Sequence, residues 1–158
     1  MINTATGNLL HAPVEALVNP VNCVGVMGKG LALQFKSAYP TNFSAYRQAC
    51  STGSLHPGTT LVHDLGVNAF PRYLINVPTK RHWRDSSRIE DIRAGLAALI
   101  EAVRCYTIRS IAIPPLGCGL GGLAWDTVKP LIESACASIP NVNVLLYEPV
   151  IDRTSLQP

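Results

Sequence analysis

Ile89, Ile92, Leu96, Leu99, Ile100 and Val103 recur at spacings of three and four, the stripe of an amphipathic helix, and predict a helix over residues 88–105. Ser87, followed three residues later by Glu90, is placed to form its capping box. A second stripe, Val128, Leu131, Ile132, Ala135 and Cys136, predicts a helix beginning near Asp126, with Pro130 accommodated close to the start. Two shorter helices are expected over residues 31–38 and 42–50, divided by Pro40, whose ring disfavours a helical Tyr39. Between the helices lie β-branched and leucine-rich runs at residues 16–19, 60–64, 73–77, 110–113 and 142–147, several of them apolar on both faces, as in strands covered from both sides. Strands interleaved with helices predict an α/β sandwich.

The chain has 158 residues, a length that suits one domain with one core, and residues 1–150 are expected to form it. Residues 151–158 are polar, end in proline and carry no period; they read as a linker stub or as a frayed terminus. Hydrophobic residues make up 47% of the sequence and charged ones 15%, which favours a filled interior over disorder. The longest apolar runs, such as residues 111–116, are far shorter than the roughly 20 residues a membrane-spanning helix needs. No basic segment leads into an apolar stretch at the N-terminus, so the expectation is a cytoplasmic protein without a membrane partner. Five cysteines without a C-x-x-C pair and four histidines without ligand spacing predict neither a disulfide framework nor a metal site. The net charge of +3 neither demands nor repels a nucleic acid. Its local distribution is more informative: Lys80, Arg81, Arg84 and Arg88 surround His82 and Trp83. Such a segment suits phosphates and a stacked base, and equally a solvated connecting loop.

Two glycine-rich loops carry the chemistry. The first, Val18-Asn19-Pro20-Val21-Asn22-Cys23-Val24-Gly25-Val26-Met27-Gly28-Lys29-Gly30, joins a buried strand to a helix start. Glycines let backbone N–H groups approach a phosphate, and the positive helix end strengthens the attraction. The loop is neither a Walker A sequence nor G-x-G-x-x-G. Asn19 and Asn22 suit ribose hydroxyls or, alternatively, turn-capping. The second loop, Pro114-Pro115-Leu116-Gly117-Cys118-Gly119-Leu120-Gly121-Gly122-Leu123, again lies between a strand and a helix. Four glycines in six residues cost conformational entropy that a mere connection does not need, which points to a ligand. Two such loops at the carboxyl ends of strands predict a crevice for a nucleotide-like diphosphate. Cys118 has no basic partner beside it and reads as small-residue packing, not as a nucleophile.

V-N-P-V-N with G-V-M-G-K-G-L-A-L-Q-F-K, together with P-P-L-G-C-G-L-G-G-L, resembles the two ligand loops of the macro domain family. The likeness is nearest to the branch that holds the terminal ADP-ribose protein glycohydrolases and the DarG-type antitoxins, and it extends from Ile2 to about Tyr147. It implies a three-layer α/β/α sandwich with a mixed central sheet, binding ADP-ribose across the strand ends. On this resemblance Asn8 and Leu9 meet adenine, with Asn8 replacing the usual aspartate, and Tyr147 lies against the ring. Asn22, with Val24, Gly25, Val26, Met27, Gly28 and Gly30, borders the distal ribose, and Asn19 is a further ligand-binding candidate. Gly117, Cys118, Gly119 and Leu120 wrap the diphosphate, and Pro115 and Leu116 also border the ligand.

Asn76-Val77-Pro78-Thr79-Lys80-Arg81-His82-Trp83 resembles the segment that carries the essential lysine of the antitoxins, which makes Lys80 the implied catalytic residue, with Thr79 beside the ligand. Gly121 stands where the terminal glycohydrolases have an acid. The resemblance therefore implies a glycohydrolase that removes ADP-ribose from thymidine in single-stranded DNA, with no metal or cofactor. Non-catalytic ADP-ribose reading, and hydrolysis of protein-linked ADP-ribose or O-acetyl-ADP-ribose, are the alternatives. Lys80 either attacks the anomeric carbon as a neutral amine, which neighbouring cations such as Arg81 and Arg84 would favour, or polarises the leaving base as an ammonium. Arg81, His82, Trp83 and Arg84 are the expected DNA contacts. A DarT-type toxin is the implied partner, held by a region beyond this chain, and the domain is expected to be monomeric.

Overall fold

The computed structural model describes residues 1–150, so the expected tail lies outside the described residues. Six strands form one sheet in the order β1-β6-β5-β2-β4-β3. They are β1 (Ile2–Ala5), β2 (Ala16–Val21), β3 (Leu61–Asp64), β4 (Tyr73–Pro78), β5 (Ser110–Ile113) and β6 (Asn143–Tyr147). Only β3 runs antiparallel to its neighbour, so the sheet is mixed, as the resemblance implies.

Side chains alternate across this sheet with period two, and each face meets its own helical layer. Ala16, Val18, Tyr73, Ile75, Val77, Ile111, Ile113, Val144 and Leu146 pack under α3 (Ile89–Cys105) and α4 (Trp125–Cys136). Leu17, Leu74, Ala112 and Tyr147 face the other way, toward α1 (Gly30–Ala38). Val21 and Leu61 join Met27 and Tyr46 under α2 (Pro40–Ser51). The result is the three-layer sandwich.

Local departures from the sequence reading have physical causes. Ser87 does not cap α3: Arg88 occupies the cap position without a side-chain bond, and the Ser87 hydroxyl is buried against the second glycine loop. Pro130 sits in the second turn of α4, not its first, and leaves the carbonyl of Asp126 without its helical donor. Pro40 begins α2 instead of dividing two helices at a distance, because the first helical position needs no N–H. The β1 strand and a single 3-10 turn at Leu9–His11 were not predicted; Ile2-Asn3-Thr4-Ala5 has no apolar alternation and becomes a strand by pairing with β6.

One feature of the sheet positions the site. β2 pairs with β4 along its whole length but with β5 only through Ala16 and Leu17, so the sheet splits between β2 and β5. Pro20, which lacks a donor, falls where β2 no longer has a β5 neighbour. All five parallel strands end on the same edge, at Ala5, Val21, Pro78, Ile113 and Tyr147, and the two glycine loops flank the split there.

Candidate functional site

The first glycine loop is held from below. Asn22 is 8% exposed, and its side-chain oxygen accepts from Val24 N–H at 3.1 Å, Val26 N–H at 3.4 Å and the Tyr46 hydroxyl at 2.7 Å. Its amide donates to the Val26 carbonyl at 2.7 Å. Of the two roles open to Asn22, turn-capping is therefore the one its bonds perform. Asn19 is completely buried and donates to Asn76 Oδ1 at 3.1 Å, and its own Oδ1 has no partner. It lies beneath the loop instead of on a ligand surface. Met27, 1% exposed, plugs the same region beside Tyr46 and anchors the loop by burial. What reaches the surface is Val24, Val26, Gly28 and Gly30, with Gly25 half-buried in a left-handed conformation at φ 82°.

The loop feeds α1, whose cap residue Lys29 makes no side-chain bond. The first intrahelical bond is Leu33 N–H to Lys29 carbonyl, so Gly30, Leu31 and Ala32 have N–H groups without helical partners. This donor-rich end faces the second loop: a Cβ at Gly30 would lie 3.8 Å from Leu120 Cδ1. An anion between the loops would meet both the helix end and the exposed turn at Gly119 and Leu120.

The second loop is built around Gly117, at φ 75°, whose carbonyl accepts from Leu123 N–H at 2.9 Å. Leu116 and Gly117 are buried and form the floor of the loop. Cys118 is half-buried, donates to the Leu116 carbonyl at 3.6 Å, and its thiol is pushed up to about 11 by burial. That thiol stays protonated at neutral pH, in keeping with a packing role. Cys118→Ser is expected to leave any turnover of this domain unchanged, measured as product release at neutral pH.

At one end of the split, Asn8, Leu9, Pro115 and Tyr147 come together around a cleft of about 380 Å³. All four are ligand candidates in the sequence. Leu31 and Gln34, which line the same cleft from adjacent turns of α1, and Glu148 after β6 are not. The spacing of Leu31 and Gln34 was the available signal, since residues three apart share a helix face. Asn8 caps the 3-10 turn by accepting from Leu10 N–H at 3.0 Å, which leaves one lone pair of its oxygen and its amide for other partners.

At the other end lies the lysine segment. The parallel pairing of β2 and β4 continues past the strands: Thr79 and Lys80 N–H groups donate to the Val21 carbonyl at 2.8 and 3.4 Å, and Cys23 N–H donates to the Arg81 carbonyl at 3.2 Å. These bonds hold Lys80 beside the start of the first loop, with Thr79 buried. The half-buried Lys80 donates through Nζ to the Trp83 carbonyl at 3.3 Å. Arg81 does not stand free as a neighbouring cation: its guanidinium forks onto the buried Asp91 at 3.1 and 3.2 Å. Arg84 lies over the Trp83 ring at 4.5 Å, and the His82 ring packs at 5.2 Å from Trp83. Trp83 remains 46% exposed.

The lysine segment is also tied to the second loop by Ser87 N–H, which donates to the Gly121 carbonyl at 2.9 Å. A Cβ at Gly121 would collide with Ser87 Oγ and sit 2.5 Å from the Gly117 carbonyl oxygen. The position at which the resemblance implies an acid in the terminal glycohydrolases therefore admits no side chain here.

The sheet, parallel except for β3 and split between β2 and β5, carries two glycine loops at its carboxyl edge, and the Macro domain family model matches residues 18–132. The chain belongs to that family. It is 53% identical over 150 residues to the DNA ADP-ribosyl glycohydrolase of Thermus aquaticus, covering 95% of this chain and 42% of that protein. It thus spans about two fifths of the length of the curated relatives it matches. Among solved structures, the macrodomain of Thermus aquaticus DarG superposes with a TM-score of 0.92 at 52% identity, covering 94% of this chain and 99% of that one. Thermosipho africanus DarTG in complex with ADP-ribose superposes with a TM-score of 0.83 at 31% identity, covering 99% of this chain and 45% of that one.

Proposed function

We propose that this domain is a DNA ADP-ribosyl glycohydrolase, removing ADP-ribose from thymidine in single-stranded DNA. The observation that carries the reading is the pinning of Lys80 beside the first glycine loop by backbone bonds to Val21, opposite a Gly121 position that excludes an acid. The names of the relatives support it: three at 50% identity or more are DNA ADP-ribosyl glycohydrolases.

In this reading adenine occupies the cleft of Asn8, Leu9, Pro115 and Tyr147, the diphosphate lies between the α1 end and the Gly119–Leu120 turn, and the distal ribose rests on the Val24–Gly28 loop. Gly117, Leu116, Met27, Asn19 and Asn22 shape these surfaces from beneath. Water adds to the anomeric carbon, the bond to the thymine nitrogen breaks, and the proton from water ends on that nitrogen. The departing imide tolerates negative charge because two carbonyl oxygens share it. With Arg81 committed to Asp91, the arrangement supports Lys80 acting as a charged donor to a thymine carbonyl, exchanging its bond to the Trp83 carbonyl for one to the leaving base. Trp83 supplies a ring on which a flanking base stacks. The domain then restores unmodified DNA against a DarT-type toxin in the cytoplasm.

Asn8→Asp is expected to tighten ADP-ribose binding about fivefold, because a charged acceptor roughly doubles a hydrogen bond worth about 1 kcal/mol. Titration calorimetry with free ADP-ribose measures it. The function itself is tested by offering three linkages side by side: ADP-ribosyl-thymidine in single-stranded DNA, glutamate-linked protein and O-acetyl-ADP-ribose. Release from DNA alone is the expected result; release from glutamate or acetyl esters alone would move the substrate, and binding without release from any would leave a reader module.

A further inference from the structure

Between residues 16 and 63 the chain has Lys29, Lys36 and Arg47 but no aspartate or glutamate. This carboxylate-free stretch includes the whole α1–α2 layer. Behind the Val24–Gly28 loop it forms a groove of about 970 Å³, lined by the loop itself, by Lys36 from α1 and by Phe43, Ser44, Arg47 and Gln48 from α2. Lys36 Nζ lies 4.5 Å from the Phe43 ring centroid and the Arg47 guanidinium 5.8 Å from it, so one aromatic ring gathers both cations. Among the described residues neither cation forms an ion pair. Arg47 also packs against the back of the first loop, where a Cβ at Gly25 would be 3.8 Å from its Cα and Cγ.

We propose that this groove is a second substrate surface, which holds the backbone phosphates of the single strand running away from the modified thymidine. The inference rests on the glycohydrolase reading, in which the distal ribose, and so the point of attachment to DNA, lies on the other side of the same loop. A strand leaving that point meets the loop edge first and the paired cations next. Exposed cations without carboxylates, with hydroxyl and amide groups from Ser44 and Gln48, suit a phosphodiester backbone, and the apolar loop wall and the Phe43 ring suit the bases. The Lys80–Arg88 segment, nominated from sequence for the DNA, has Arg81 already neutralised by Asp91, so it carries less free positive charge than its run of basic residues suggests.

The test is fluorescence anisotropy of an unmodified oligothymidine at several salt concentrations, with the protein and its Lys36→Glu/Arg47→Glu double variant. The log–log salt slope is expected to shrink by about 1.4, two contacts at about 0.7 each for single strands, with the low-salt affinity of the variant at least about tenfold weaker. Alongside, KM for an ADP-ribosylated oligonucleotide should rise in the variant while turnover of the ADP-ribosyl-thymidine mononucleotide is unchanged. An unaltered slope and affinity, or equal losses on oligonucleotide and mononucleotide, would overturn the proposal. Failure of the glycohydrolase reading is separately visible: the wild-type protein would release no ADP-ribose from either modified substrate, whatever the anisotropy shows.

Discussion

Lys80→Ala is expected to lower the single-turnover release of ADP-ribose from modified DNA by about 100- to 1,000-fold, the usual cost of removing one donor aimed at developing charge. Its Kd for free ADP-ribose should barely move. The two effects should separate because the surfaces proposed to hold the nucleotide, the α1 end, the Gly119–Leu120 turn and the Asn8–Tyr147 cleft, are built from other elements than the segment that carries Lys80. Release assayed by chromatography and affinity by calorimetry give the two numbers. Lys80→Arg then distinguishes the lysine's roles: a guanidinium still donates to a thymine carbonyl but is a poor nucleophile, so partial retention identifies the charged donor and full loss the attacking amine.

The second large effect is at Gly121. Supplying the missing acid by Gly121→Asp is expected to destroy function, not to convert it, because the new Cβ meets the Gly117 carbonyl oxygen and Ser87 Oγ before any carboxylate can reach a ligand. Overpacking of this kind costs about 1–3 kcal/mol, and a domain of this size loses roughly 2–4 °C of Tm per kcal/mol. The displaced loop carries the Gly119–Leu120 turn, so ADP-ribose affinity should fall at least tenfold, about 1.4 kcal/mol. Gly121→Ala is the control for volume without charge and should behave alike. Thermal melts and calorimetry read both variants; normal affinity with new activity on glutamate esters would show that the loop tolerates the side chain.

The layers were legible in the sequence because each rests on a period. The α3 and α4 stripes and the apolar runs of β2, β4, β5 and β6 fall within a residue or two of where they were expected. β1 was not legible, since its polar centre is stabilised by backbone pairing with β6 that no local pattern records. The site divided in the same way. Asn8, Leu9, Pro115 and Tyr147, each a ligand candidate in the sequence, line one cleft, whereas Leu31 and Gln34, on an ordinary-looking helix, carry no motif that nominates them. Asn19, Met27 and Leu116 were nominated for ligand contact and lie buried, because adjacency to a glycine loop does not reveal which side chains turn inward. Arg81 shows the limit of reading charge from a run of residues: its partner, Asp91, is ten positions away on the first turn of α3.

The most direct test is the mass of a single-stranded oligonucleotide carrying one ADP-ribosyl-thymidine, measured before and after incubation with the protein. Return to the mass of the unmodified strand is expected, with free ADP-ribose in the supernatant and intact thymine. An unchanged mass under conditions where the same protein binds free ADP-ribose would contradict the glycohydrolase reading, and would make this macro domain a reader of the modification instead of the enzyme that removes it.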